Sequence, residues 1–81
     1  MAYTRTHIRL EKTREIEDFV RNLNSDGTTD KYVIENFDGT LRADARSLLG
    51  VIYMTTDYED TYLVNLSNDG CIPSFVNKYR V

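Results

Sequence analysis

Residues 31–50 read KYVIENFDGTLRADARSLLG. Tyr32, Val33, Ile34 and Phe37 are β-branched and aromatic types that suit a pleated surface, so Lys31 to Phe37 is predicted as a strand. Asp38-Gly39 follows as a strong hairpin turn, and Thr40 to Arg42 returns as a short partner strand. Helix formers from Ala43 to Leu49, followed by Gly50, predict a helix of one to two turns that stops at that glycine. Val51 to Met54 is apolar and either extends this helix or leaves it.

Toward the N-terminus, the first ten residues alternate. Thr4, Thr6, Ile8 and Leu10 lie on one side and Tyr3, Arg5, His7 and Arg9 on the other, the pattern of a half-buried strand with a wet, basic second face. From Thr13 the period changes: Ile16, Phe19, Val20 and Leu23 fall at i, i+3, i+4 and i+7, the apolar stripe of an amphipathic helix. Thr13 is the expected N-cap, with Glu15, Glu17 and Asp18 in the first turn, and Asn24-Ser25-Asp26-Gly27 stops the helix. Toward the C-terminus, a polar loop from Thr55 to Asp60 leads into a fourth strand, Thr61 to Ser67, with Tyr62, Val64 and Leu66 on one face. Asn68-Asp69-Gly70 ends it, and Ile72, Phe75, Val76 and Tyr79 repeat the helical spacing behind Pro73.

The order is therefore β-α-β-β-α-β-α without a linker or repeat. Eighty-one residues of 9.4 kDa make one domain, 1–81, with one core. Three helices covering one face of a four-stranded sheet, an open-faced α+β sandwich, is the simplest packing of these elements. Ten basic against 13 acidic residues, net charge -3, give no positive field for phosphate backbone, so no nucleic-acid partner is expected. The one cysteine, Cys71, has no disulfide partner, and one His with one Cys falls short of a zinc set, so neither metal nor cofactor is expected. No stretch approaches a membrane span and the start lacks the apolar run of a signal peptide, so a cytoplasmic, membrane-free setting is expected. Tyr53 and Tyr58 are candidates for an interface, since tyrosine makes contacts at low entropic loss, or for core filling.

This element order, with the string Ala43-Asp44-Ala45-Arg46-Ser47-Leu48-Leu49-Gly50-Val51-Ile52, resembles the HPr family, the phosphocarriers of the bacterial sugar phosphotransferase system. Arg46-Ser47-Leu48-Leu49-Gly50-Val51 stands where that family carries a basic-Ser-aliphatic-hydrophobic-Gly-aliphatic helix start. The family's second motif is a turn from the first strand into the first helix whose histidine accepts phosphate. Here that histidine is absent: Lys12 takes its position when the segments are aligned on Phe19-Val20, with Arg14 at the arginine and Glu15 for proline, and Glu11 takes it when they are aligned on Leu10. An ammonium at Lys12 is protonated near neutral pH and a poor nucleophile, and Glu11, Glu15 and Glu17 disfavour a dianion there. His7, five residues before Lys12 on the wet strand face, reads as a surface histidine.

The resemblance implies an open-faced sandwich of HPr-like type, a four-stranded antiparallel sheet with three helices on one face. It further implies a regulatory or protein-binding module rather than a working phosphocarrier, with phosphotransferase-system or regulatory proteins as partners. The alternative is a phosphocarrier using a different acceptor. Ser47 matches the family's regulatory phosphorylation site, with Arg46 as a candidate to hold the phosphate and a plain helix-start serine as the other reading. Arg14, Arg46, Ser47, Leu48, Leu49 and Ile52 are the candidate partner-binding residues, with Arg14 expected beside Ser47 across the two helix starts; the leucines and Ile52 read equally as core. An enzyme has little support, since no Ser-His-Asp order, no carboxylate pair in a defined pocket and no phosphate-binding glycine loop is visible.

Overall fold

A computed structural model describes residues 5–67 and 72–81. The alternation at residues 1–4, the stop at 68–70 and Cys71 lie outside the described residues. Strands β1 (Arg5–Ile8), β2 (Tyr32–Glu35), β3 (Arg42–Asp44) and β4 (Thr61–Asn65) form one antiparallel sheet in the order β1-β4-β2-β3. Helix α1 (Thr13–Asn24) joins β1 to β2, helix α2 (Leu48–Asp57) joins β3 to β4, and a 3-10 helix covers Ser74–Tyr79. The register sets Thr6, Leu63, Ile34 and Ala43 in one row and Ile8 opposite Thr61, and this sheet face meets the helices. Ile16, Phe19, Val20 and Leu23 of α1 are all buried against it, together with Val51 and Met54 of α2 and Val76 and Tyr79 of the C-terminal turn. Phe19 is the centre: Phe75 and Tyr79 meet its ring edge-on at 6.1 and 5.7 Å.

Helix α1 starts one residue earlier than the sequence predicts. Lys12, with extended backbone (φ -108°, ψ 148°), occupies the cap, and Thr13 lies inside the first turn. The reason is Glu15, three residues on, whose carboxylate accepts the main-chain N–H groups of Glu11 and Lys12 at 3.0 and 3.1 Å.

Larger departures lie in residues 36–57. The strand predicted over Thr40 to Arg42 is displaced to Arg42–Asp44, because Asn36 organises a longer loop than a two-residue turn. Asn36 exchanges main-chain and side-chain bonds with Leu41, and its side-chain amide donates to Thr40 Oγ1 at 3.1 Å. Gly39 sits in this loop at φ 73°, a left-handed conformation open to glycine. The helix predicted over Ala43 to Leu49 is corrected to Leu48–Asp57. Ala43 and Asp44 pair with Ile34 and Val33 instead, so strand pairing overrides their helix propensity. Ser47 caps α2, its Oγ accepting from Gly50 N–H at 3.3 Å.

Gly50 is thus a helix-interior residue, not a stop. A Cβ there would lie 3.2 Å from both Ala43 Cβ and the Asp44 carbonyl oxygen, so its absence lets α2 press onto β3. In β4 the residues turned to the helices are Thr61, Leu63 and Asn65, and Tyr62 and Val64 lie on the opposite face. The C-terminal segment is a six-residue 3-10 helix, and its end pairs with β1 through Ile8 and Arg80.

Candidate functional site

The start of α2 is the best-defined exposed feature of the helical layer. With Val51 and Met54 facing the core, the helical repeat turns Leu49 and Tyr53 outward and leaves Leu48 on the flank of the buried stripe. Leu49 is 80% exposed, Tyr53 52% and Leu48 40%, while Ile52 is half-buried and packs against the core. Of the predicted patch, then, the two leucines face solvent and Ile52 bridges core and surface. Tyr53 extends the patch by one turn and meets Tyr58 edge-on at 6.5 Å. Burial, then Tyr53 and Asp57, push the Tyr58 hydroxyl above its ordinary pKa.

Arg46, immediately before Ser47, is turned inward. Its guanidinium donates to the carbonyl oxygens of Leu23, at the end of α1, and of Asp30, the latter at 2.9 Å from Nη2 and 3.2 Å from Nε. It also reaches Thr28 Oγ1 at 3.3 Å and lies 5.0 Å from the Tyr32 ring centre. Asp26 stands 3.5 Å away and accepts the Thr28 N–H and hydroxyl. Burial works to raise Asp26, but the Thr28 bonds and the Arg46 charge outweigh it and hold the carboxyl below its ordinary 3.8. The guanidinium is therefore committed to closing the loop between α1 and β2.

The same contacts place Ser47 at the C-terminal end of α1, where Asn24 Nδ2 also donates to the Arg46 carbonyl. Lys12 and Arg14 lie exposed at the opposite end of that helix. Ten residues of helix at about 1.5 Å each separate Arg14 from Asn24 by about 15 Å. The expected adjacency of Arg14 and Ser47 is corrected accordingly: the two positions mark different ends of α1. At the Lys12 end the Glu15 carboxylate accepts the main-chain N–H groups of Glu11 and Lys12, which sets a negative charge beside the helix start and disfavours a second anion there.

The sheet face opposite the helices carries a polar network that single-sequence reading missed. Glu35, 3% exposed, is held between Arg5 Nε at 3.0 Å and Arg42 Nε at 2.7 Å. Arg5 also lies 4.1 Å from the Tyr62 ring centre and donates to the carbonyls of Asn36 and Phe37. His7 stacks on Tyr62 at 4.6 Å, and its Nε2 stands 3.1 Å from Asp60 Oδ1. The strand parity placed Arg5 and His7 on this face. What was missing was the register that brings Glu35, Arg42 and Asp60 to them, since those partners come from 30 to 53 residues away.

No family model, curated protein or solved structure matches the chain. Among the described residues no group of three or more His, Cys, Asp or Glu side chains is placed to hold a metal ion, and no helix is long and apolar enough to cross a membrane.

Proposed function

We propose that this chain is a protein-binding, regulatory module of HPr-like type, docking partners through the start of α2 rather than carrying phosphate. The observation that carries the proposal is the exposed apolar run Leu48, Leu49 and Tyr53 beside the capping Ser47. Leu49 and Tyr53, four residues apart, share one face of α2 with Leu48 on its flank, and exposed aliphatic and tyrosine side chains together are what a partner desolvates with gain. The β-α-β-β-α-β order and the one-sided helical layer agree with the resemblance. Lys12 and Glu11 supply no imidazole at the acceptor position, and the Glu15 carboxylate bonded to their main-chain N–H groups adds negative charge there, which favours binding over transfer. The partners this reading implies are phosphotransferase-system or regulatory proteins of a bacterial cytoplasm.

A second reading, a phosphocarrier with another acceptor, has one observation in its favour: His7 has a carboxylate partner in Asp60. Incubation with phosphoenolpyruvate and the general phosphotransferase enzyme, followed by intact mass measurement, separates the two. The docking reading expects no added mass. A gain of about 80 Da on His7, lost in brief acid, supports transfer instead.

A further inference from the structure

We propose that the outer edge of β3 pairs antiparallel with β3 of a second copy of this chain, about a two-fold axis through Ala43, joining two four-stranded sheets into one. The docking reading above is independent of it. The two edges of the sheet, β1 and β3, differ in charge and in cover. Along β1, Arg5 and His7 carry one sign or none, and Arg9 N–H to Tyr79 C=O and Val81 N–H to His7 C=O lay the C-terminal residues against the strand. On the outer side of β3 no described segment pairs as a strand, and the start of α2 meets that side only at its Asp44 end, where Gly50 lies against the Asp44 carbonyl.

The hydrogen-bond phase of β3 sets the register. Asn36 N–H donates to the Leu41 carbonyl and Ala45 N–H to the Tyr32 carbonyl, so residues 41, 43 and 45 turn their main chain toward β2. With period two, Arg42 and Asp44 turn theirs outward. Ser47 N–H reaches the Asp44 carbonyl at 3.1 Å, and that oxygen keeps a second lone pair. Antiparallel pairing centred on Ala43 then sets Arg42 opposite Asp44 of the second copy, and Asp44 opposite its Arg42, with the small Ala43 side chains meeting at the axis. Both charged side chains are exposed and share the open sheet face, and the Asp44 carboxylate, whose Oδ1 accepts the Arg46 N–H at 2.9 Å, has a second oxygen to offer. Arg42 uses Nε on Glu35, and a guanidinium fork offers further donors. Exposed Leu41 comes opposite Ala45 of the second copy, on the helix side. A charged edge ordinarily protects a sheet because a copy of itself repels it. This one is self-complementary, the condition for an isologous two-fold contact.

The test is charge exchange read by sedimentation velocity up to millimolar protein, with circular dichroism confirming that each variant folds. The wild-type chain is expected to dimerise with rising concentration. Arg42→Asp and Asp44→Arg each set like charges opposite one another and are expected to weaken dimerisation about tenfold or more. An equimolar mixture of the two variants restores opposite charges and is expected to dimerise again. Should Arg42→Asp fail to fold for want of its bond to Glu35, Asp44→Arg alone, which leaves Glu35 its partners, must weaken the dimer by that tenfold or more while remaining folded. Concentration-dependent amide protection at Arg42 and Asp44 must then accompany the wild-type dimer. A wild-type chain that stays monomeric at millimolar concentration, folded single variants that dimerise as well as wild type, or a mixture of folded variants that stays monomeric overturns the proposal.

Discussion

Arg46 illustrates how far a motif residue's role depends on its fold. Its place beside Ser47 suggests a phosphate partner, yet its guanidinium ties the end of α1 to Thr28 and Asp30. Arg46→Ala removes charged donors from two carbonyls at once and is expected to lower unfolding free energy in urea by about 2–3 kcal/mol. Arg46→Lys restores the charge without the planar fork and recovers only part of that loss. Asp26, next to this cluster, gives a pH dependence. Its folded-state pKa lies below 3.8, so the unfolded chain binds its proton first and the contribution is full above the unfolded value. That contribution is lost as pH falls through the depressed folded value. Asp26→Asn is therefore expected to lose stability relative to wild type at neutral pH and to converge with it in acid, as chemical unfolding at several pH values will read. On the opposite sheet face, Glu35→Gln leaves Arg5 and Arg42 without their shared carboxylate. The guanidinium groups are partly solvated, which limits the expected loss to about 1–3 kcal/mol.

At the scale of elements, what the sequence makes legible is what it encodes locally. The α1 stripe is a local signal, and all four of its residues are buried in the core. Phe19→Ala is expected to lower stability by about 3–5 kcal/mol in thermal or urea unfolding, since two further rings close on it. Helix α2 was misplaced because the deciding interactions are non-local: Ala43 and Asp44 are drawn into β3 by Ile34 and Val33, and Gly50 reads as a stop until β3 is seen against it. Gly50→Leu must push α2 away from Ala43 and the Asp44 carbonyl, and about 1–3 kcal/mol of destabilisation is expected. Gly50→Ala sets a helix-propensity gain against the same close approach and should change stability far less. The Asn36 loop escaped for a related reason, since Asp38-Gly39 signals a turn but the side-chain bonds that lengthen it belong to Asn36. The exposed leucines were named from the resemblance. Only the helix phase, set by Val51 and Met54 in the core, turns them outward and adds Tyr53.

For the whole molecule, one sheet face is closed by the helices and the other carries the ion network of Arg5, Glu35 and Arg42, so the two faces offer different surfaces. The proposed docking site lies on the helical side, at Ser47, Leu48, Leu49 and Tyr53, and the length of α1 separates it from Lys12 and Arg14. The most direct measurement immobilises wild type, Leu49→Asp, Ser47→Asp, Arg14→Ala and Arg5→Ala, and quantifies by mass spectrometry the proteins each retains from a lysate of the native cells. Leu49→Asp places a charge at an exposed apolar position and should leave folding within about 0.5 kcal/mol of wild type. Proteins retained by wild type are expected to persist on Arg14→Ala and Arg5→Ala, to fall sharply on Leu49→Asp, and to fall on Ser47→Asp. Undiminished retention on Leu49→Asp and Ser47→Asp, with loss on Arg5→Ala, would place the interface on the open sheet face and contradict the proposed site.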